Sequence, residues 1–305
     1  ATWSGSMMAN ATRDPLFWAA LDVAERDVPG VGDWCLRCHS PVGWTKGRVS
    51  KNGLGGTVNG TNGCLLQGDH DDLDNGNNDY AGVTCHLCHR MTPTGPTGQV
   101  SPQKGSGDFW IDDQTSCDGY FGPCRYGPFT YAKDSPVSPP HGWRYSRFTT
   151  RSAQCGTCHD VSSPRVDGAP LRTLKVPGTG DTGRAFPAER TFTEWKQSRY
   201  GEAPLVDSLE GDELASRSPS GNTECQDCHM RTSAETAARA CLMNNAGSRR
   251  GELPVHEFVG GSVWPLRLLR GLYGSAGGLD RLEAFDRTIA WSLELLQQRS
   301  ADVAV

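Results

Sequence analysis

The chain has 305 residues, a formal charge of −5 and an apolar fraction of 36%. That length allows one large domain or two small ones. The mild acidity, with no run of like charge, gives no basis for binding nucleic acid. No stretch approaches the ~20 consecutive apolar residues of a membrane span, and 37 glycines with 19 prolines predict a loop-rich chain with a poor core of its own.

The first residue is Ala1. A small residue in that place fits the product of signal-peptidase cleavage and predicts a secreted, extracellular or periplasmic protein. Asp14-Pro15 reads as an N-cap with proline at the first helical position. Leu16, Phe17, Ala20, Leu21 and Ala24 then mark one apolar face, and Pro29-Gly30 ends the helix. It leads into Cys35-Leu36-Arg37-Cys38-His39, flanked by Trp34 and Trp44. Both tryptophans are candidates to pack on a flat cofactor or to take an ordinary place in a core.

The same C-x-x-C-H spacing returns at Cys85-His86-Leu87-Cys88-His89, Cys155-Gly156-Thr157-Cys158-His159 and Cys225-Gln226-Asp227-Cys228-His229. Paired cysteines at this spacing also build zinc knuckles, but zinc has no need of a histidine directly after the second cysteine. All four pairs have it. The pattern is that of c-type haem attachment: two thiols add to the two vinyl groups on one haem edge, and the adjacent histidine is delivered under the iron. Four haem c groups are therefore expected. Their attachment residues are Cys35, Cys38, Cys85, Cys88, Cys155, Cys158, Cys225 and Cys228, and their proximal ligands are His39, His89, His159 and His229.

The eight histidines of the chain leave four outside the motif positions: His70, His86, His141 and His256. Four irons with two axial histidines each need eight, so these four are the candidate distal ligands. Met7, Met8 and Met243 are the alternatives. Closed, bis-histidine irons favour low potential and outer-sphere electron transfer over substrate chemistry. His86 lies inside the second motif. If it ligates a neighbouring iron, two haems share one short segment, and the first haem is its expected target.

Residues 51–81 are rich in Gly, Asn and Asp and read as a surface excursion holding Cys64 and His70. His70 can serve an iron of its own chain or of a neighbouring subunit. The run from Asp71 to Asp79 resembles a calcium loop with Gly76 in the turn position, but Leu73 and Gly82 stand where ligands are needed. Residues 91–154 show little periodicity. A proline-stiffened arm, Asp134 to Pro140, presents His141. The four cysteines outside the motifs suggest two disulfides. Cys117 and Cys124 close a short loop with Gly119 and Gly122, which leaves Cys64 with Cys241 by elimination. Thr191 to Tyr200 reads as a short helix before the fourth motif. Leu279, Leu282, Phe285, Ile289, Leu293 and Leu296 recur at helical spacing and predict the longest helix, ending near Arg299.

Several blocks resemble the multihaem c-type cytochromes, in particular the tetrahaem cytochromes of nitrifying bacteria and their relatives. They are Gly127-Pro128 leading to His141, Cys155 to Val161, Glu194-Trp195 through Ser198 to Met230, and Val255-His256-Glu257-Phe258-Val259-Gly260-Gly261. The resemblance spans roughly residues 30–262 and implies a distal-ligand role for His256. Secretion and the histidine count also resemble the extracellular cytochrome filaments, or nanowires, whose subunits stack head to tail through heterologous contacts.

The expected fold is thus mainly irregular and loop-rich: short α-helices wrapped around four haems, a longer C-terminal helix and little β structure. Residues 1–270 would form the tetrahaem domain and 271–305 a helical extension packed on it. The expected function is electron transfer, as a filament subunit whose partners are copies of itself, other redox proteins or extracellular acceptors. A discrete soluble shuttle, or a reductase of a small nitrogen or oxygen compound using one five-coordinate iron, are the competing readings. A third is a surface protein in which haem is mainly scaffold.

Overall fold

The structure is a computed structural model. It describes residues 2–49, 65–70, 78–99, 105–131, 138–198, 201, 224–232, 253–275 and 278–298. The chain divides into two compact units. One comprises Ala1–Thr84, Cys228–Arg231 and Val255–Val305, and the other Cys85–Asp227 and Thr232–Pro254. The C-terminal helices thus belong to the same unit as the N-terminal segment, and the division passes through the fourth motif.

In the first unit, α1 (Pro15–Asp27) begins where the Asp14 carboxylate accepts from the Leu16 N–H. The buried face differs from the expected one. Leu16 and Ala20 are exposed, while Leu21 is buried with Phe17 and Trp18 beside it. Buried Glu25 continues that face. Its carboxylate accepts from the N–H groups of Gly30 at 2.6 Å and Gly32 at 2.9 Å, so it ties the end of α1 to the start of α2 (Gly32–His39). That second demand, absent from an apolar pattern, sets the rotation of the helix. α3 (Pro41–Thr45) follows directly. Leu21, Leu36, Val49 and Leu66 form the apolar cluster here, with Trp44 and Tyr80 against it.

In the second unit the described helices run to at most seven residues and the strands are short. α4 (Cys85–Cys88) is followed by β1 (Met91–Thr92), paired with β2 (Trp110–Ile111). β3 (Ser116–Cys117) and β4 (Tyr120–Phe121) make a hairpin, closed by a Cys117–Cys124 disulfide with Cα atoms 5.1 Å apart, as the loop spacing predicts. β5 (Arg125–Gly127) and β6 (Trp143–Tyr145) pair in parallel. α5 (Ser152–Gly156) opens the third motif. β7 (Val161–Ser162) meets β12 (Pro187–Glu189), enclosing two hairpins, β8 (Arg165–Val166) with β9 (Ala169–Pro170) and β10 (Thr173–Val176) with β11 (Gly180–Ala185). α6 is Thr191–Gln197, within the expected segment. Among the described residues every sheet is two-stranded.

α7 (Cys225–His229) carries the fourth motif. In the first unit, α8 (Trp264–Tyr273) was not evident from the sequence; α9 (Leu282–Gln298) is the expected long helix. Leu279 lies before α9 and is buried with Leu266, Leu269 and Phe285. Leu282 and Leu296 are exposed, and the buried line of α9 is Phe285, Thr288 and Ser292. Small side chains let the N-terminal segment approach. A Cβ on Gly5 would stand 2.2 Å from the Ala284 carbonyl oxygen. Replacing Gly5 with alanine should therefore strain this contact and cost about 1–3 kcal/mol, read as a lower thermal midpoint.

The Cys64–Cys241 pairing and the first seven residues of the Asp71–Asp79 run lie outside the described residues. Asp79 itself is fully buried and its carboxylate is engaged by Arg48 and by the Gln67 N–H. Met7 packs against the Leu266 cluster, and Met243 is not among the described residues.

Candidate functional site

Each C-x-x-C-H motif begins on a helical turn: within α2, in α4, across the end of α5 and in α7. One turn sets residues i, i+3 and i+4 side by side, which brings two thiols and an imidazole to one face. At the second and third motifs the histidine N–H reaches back to the first cysteine's carbonyl, at 3.0 Å for His89 to Cys85 and 2.9 Å for His159 to Cys155.

Two of these imidazoles are oriented by backbone. His89 Nδ1 lies 2.8 Å from the Tyr126 carbonyl oxygen, and His229 Nδ1 lies 2.5 Å from that of Val259. A carbonyl only accepts, so Nδ1 carries the proton and Nε2 keeps its lone pair. That is the arrangement of a metal-ligating histidine. His39 is held by other means: its ring stacks on Phe17 at 4.0 Å with planes 5° apart, and its carbonyl accepts from the Thr12 hydroxyl at 2.5 Å. The carbonyl of His159 accepts from the Phe192 N–H at 2.8 Å.

Two of the thiols are shifted toward their neutral form by burial. Burial, then the Glu25 carboxylate, pushes Cys35 up to about 11. Burial, then Cys158 and Cys85, pushes Cys88 up to about 12. Among the described residues no group of three or more His, Cys, Asp or Glu side chains is arranged to hold a bare metal ion.

The second unit brings motifs together that are far apart in sequence. The Gln154 side-chain amide donates to the Cys88 carbonyl at 2.7 Å. The Cys225 N–H donates to the Ser152 hydroxyl at 2.8 Å, and the Ser152 N–H to Glu224 at 2.6 Å. Arg151 pairs with the same carboxylate. The Cys155 and Cys225 thiols hydrogen-bond each other, which raises the first and lowers the second. The third motif thus stands between the cysteines of the second and Cys225 of the fourth. No spacing rule in the sequence announces this.

Within the first motif, Arg37 approaches two indoles, with its guanidinium carbon 3.9 Å from the Trp34 ring centre and 5.0 Å from that of Trp44. Trp34 Nε1 and Arg37 Nε are buried without a hydrogen-bond partner among the described residues. Such donors are costly when unmet; a haem propionate is a group that would satisfy them.

The candidate distal histidines occupy four settings. His70 is clamped: its carbonyl accepts from buried Arg13 at 2.6 Å, and its ring meets Tyr80 at 4.1 Å and Tyr273 at 5.8 Å. His86 is exposed by area, yet its ring is crowded enough that partial burial, then Arg125, Arg90, His141 and His89, lowers its pKa. His141 and His256 are exposed.

The His141 setting depends on the disulfide hairpin. Arg125 donates its N–H to the Gly142 carbonyl at 3.0 Å, and Arg144 pairs with Asp118 at the hairpin turn. A Cβ on Gly142 would stand 2.3 Å from the Cys117 Cβ. The strand beside it carries the Tyr126 carbonyl that orients His89. Replacing Gly142 with alanine should force the hairpin from this strand, costing about 1–3 kcal/mol and lowering the denaturation midpoint; an unchanged midpoint would show that the contact is compliant.

No protein-family model, no curated protein and no solved structure matches the chain.

Proposed function

We propose that the chain is a tetrahaem c-type cytochrome that transfers electrons. The observation that carries this reading is the motif geometry: four C-x-x-C-H sequences begin on helical turns, and His89 and His229 are tied through Nδ1 to backbone carbonyls. Covalent haem supplies one-electron chemistry; the chain sets spacing, potential and access. Cys35 and Cys38, Cys85 and Cys88, Cys155 and Cys158, and Cys225 and Cys228 would hold the four groups. His39, His89, His159 and His229 would sit beneath the irons, and His70, His86, His141 and His256 supply the second ligands. The links from Gln154 to Cys88 and from Ser152 to Cys225 support successive transfer through the haem of the third motif.

The finer reading is a subunit of an extracellular filament. Three of the four distal candidates are exposed, which suits ligands shared between copies. Phe121, in β4 of the disulfide hairpin, is 100% exposed. Electron microscopy of the native protein tests this part: regular filaments sustain it, and compact particles leave a discrete shuttle.

Expression in a host that attaches haem c tests the main reading. The expected product carries four covalent haems by mass and by alkaline pyridine spectrum, all low-spin when reduced, with no carbon monoxide adduct. A chain without covalent haem overturns the proposal. Four haems with one binding carbon monoxide would instead favour a reductase.

A further inference from the structure

The fourth motif and the segment around His256 are bound to one another, and the direction of each contact constrains which iron His256 can reach. The Val255 N–H donates to the Arg231 carbonyl at 2.8 Å. The Arg231 Nε lies 3.0 and 2.9 Å from the two Glu257 carboxylate oxygens, and the Val259 carbonyl oxygen is 2.5 Å from His229 Nδ1. Val255 and Glu257 therefore hold Arg231, just past the motif, while the Val259 carbonyl meets His229 itself, and Glu257 and Val259 are buried at 2% and 3% exposure.

His256 is the exception. The Glu257 N–H bonds back to the Val255 carbonyl at 2.8 Å, an i to i+2 bond that places His256 at the apex of a three-residue turn. Its side chain is exposed. Its ring meets that of Phe258 at 5.7 Å and 76°, and Phe258 in turn meets Trp3 at 5.2 Å. The same five-residue segment thus carries both the carbonyl that meets His229 Nδ1 and, three residues earlier, the exposed His256 ring.

Resting on the haem reading above, we infer that His256 ligates the iron of a haem other than the fourth. On an imidazole the two nitrogens point in nearly opposite directions. An iron on His229 Nε2 therefore lies on the side away from Val259, and its open face is farther still. The Val255–Val259 segment lies behind the proximal ligand, and a side chain turned outward from it would have to pass around the macrocycle edge to reach that face. One short segment thus performs two tasks: its Val259 carbonyl orients the proximal ligand of one haem, and its apex offers a ligand to another. Glu257 and Arg231 are positioning residues that hold the two tasks in register.

The experiment compares Cys225→Ala/Cys228→Ala with the same variant carrying His256→Ala as well. Both are made in a haem c maturation host, with haems counted by mass and spin state read by electron paramagnetic resonance and carbon monoxide titration. Three haems are expected in each. In the added His256→Ala variant one of the three becomes high-spin when reduced and binds one carbon monoxide per chain. Identical spectra for the two variants overturn the inference while leaving the haem reading intact. Absence of covalent haem from the wild type is the separate result that removes the haem reading itself. If the cysteine variant does not accumulate, a structure of the haem-loaded wild type decides the point. His256 on the fourth iron overturns the inference, and His256 on another iron sustains it.

Discussion

Replacing Cys155 and Cys158 with alanine should remove one of four haems, a quarter of the pyridine haemochrome absorbance, and slow internal electron exchange more than loss of any other motif. Among the described residues the segment of the third motif contacts both the second and the fourth. Its Gln154 holds the Cys88 carbonyl, its Ser152 accepts from the Cys225 N–H, and its Cys155 thiol lies against that of Cys225. Removing its haem would interrupt the route between the attachment sites on either side. The measurement is a haem count by mass followed by rapid-mixing reduction. Monophasic, wild-type-like reduction of the remaining three haems would show that the route bypasses this motif. A full haem count in the variant would show that the motif carries none.

The second large effect concerns Asp79. Its side chain is fully buried and is held by Arg48, through Nε at 2.7 Å and a second guanidinium contact, and by the Gln67 N–H at 2.7 Å. The Asp79 hydrogen bond raises the Arg48 pKa further above its already high value. Asp79→Ala leaves a largely buried guanidinium and a backbone donor unmet, at a cost of about 3 kcal/mol. That corresponds to a fall of roughly 6–12 °C in the unfolding midpoint of a unit this size. Asp79→Asn keeps the shape and one acceptor and should lose less. Calorimetry on both variants checks the order; equal losses would mean that charge, not hydrogen bonding, dominates. The same geometry bears on the calcium-loop resemblance, because this carboxylate is already committed within the protein.

Parts of this molecule were legible from residue order because the interactions are local. Asp14 caps α1 and Pro15 starts it, since both act through the chain's own first turn. Cys117 and Cys124 pair across a short glycine-containing loop. The C-x-x-C-H spacing places its three groups on one helical face wherever a turn forms. The long C-terminal helix was also legible, but its buried face was not. Thr288 and Ser292 lie inward because Gly5 and its neighbours approach closely, and that partner is almost a whole chain length away in sequence. Leu16 and Ala20 are exposed for a different reason: Glu25, binding the nearby Gly30 and Gly32, fixes the rotation of α1, a polar demand that an apolar pattern does not register.

Residue order by itself thus determined that four C-x-x-C-H sequences are present and that each can set two thiols and an imidazole on one face, because covalent spacing and helical pitch are properties of a few consecutive residues. Only the tertiary structure decided which carbonyl orients His89 and His229, which motifs adjoin, and that the segment carrying His256 packs against Arg231 and His229. Backbone carbonyls are identical in every residue, so Tyr126 and Val259 carry no chemical mark of their role. Their selection depends on where distant segments meet, through the parallel pairing of β5 with β6 and the Arg231–Glu257 ion pair.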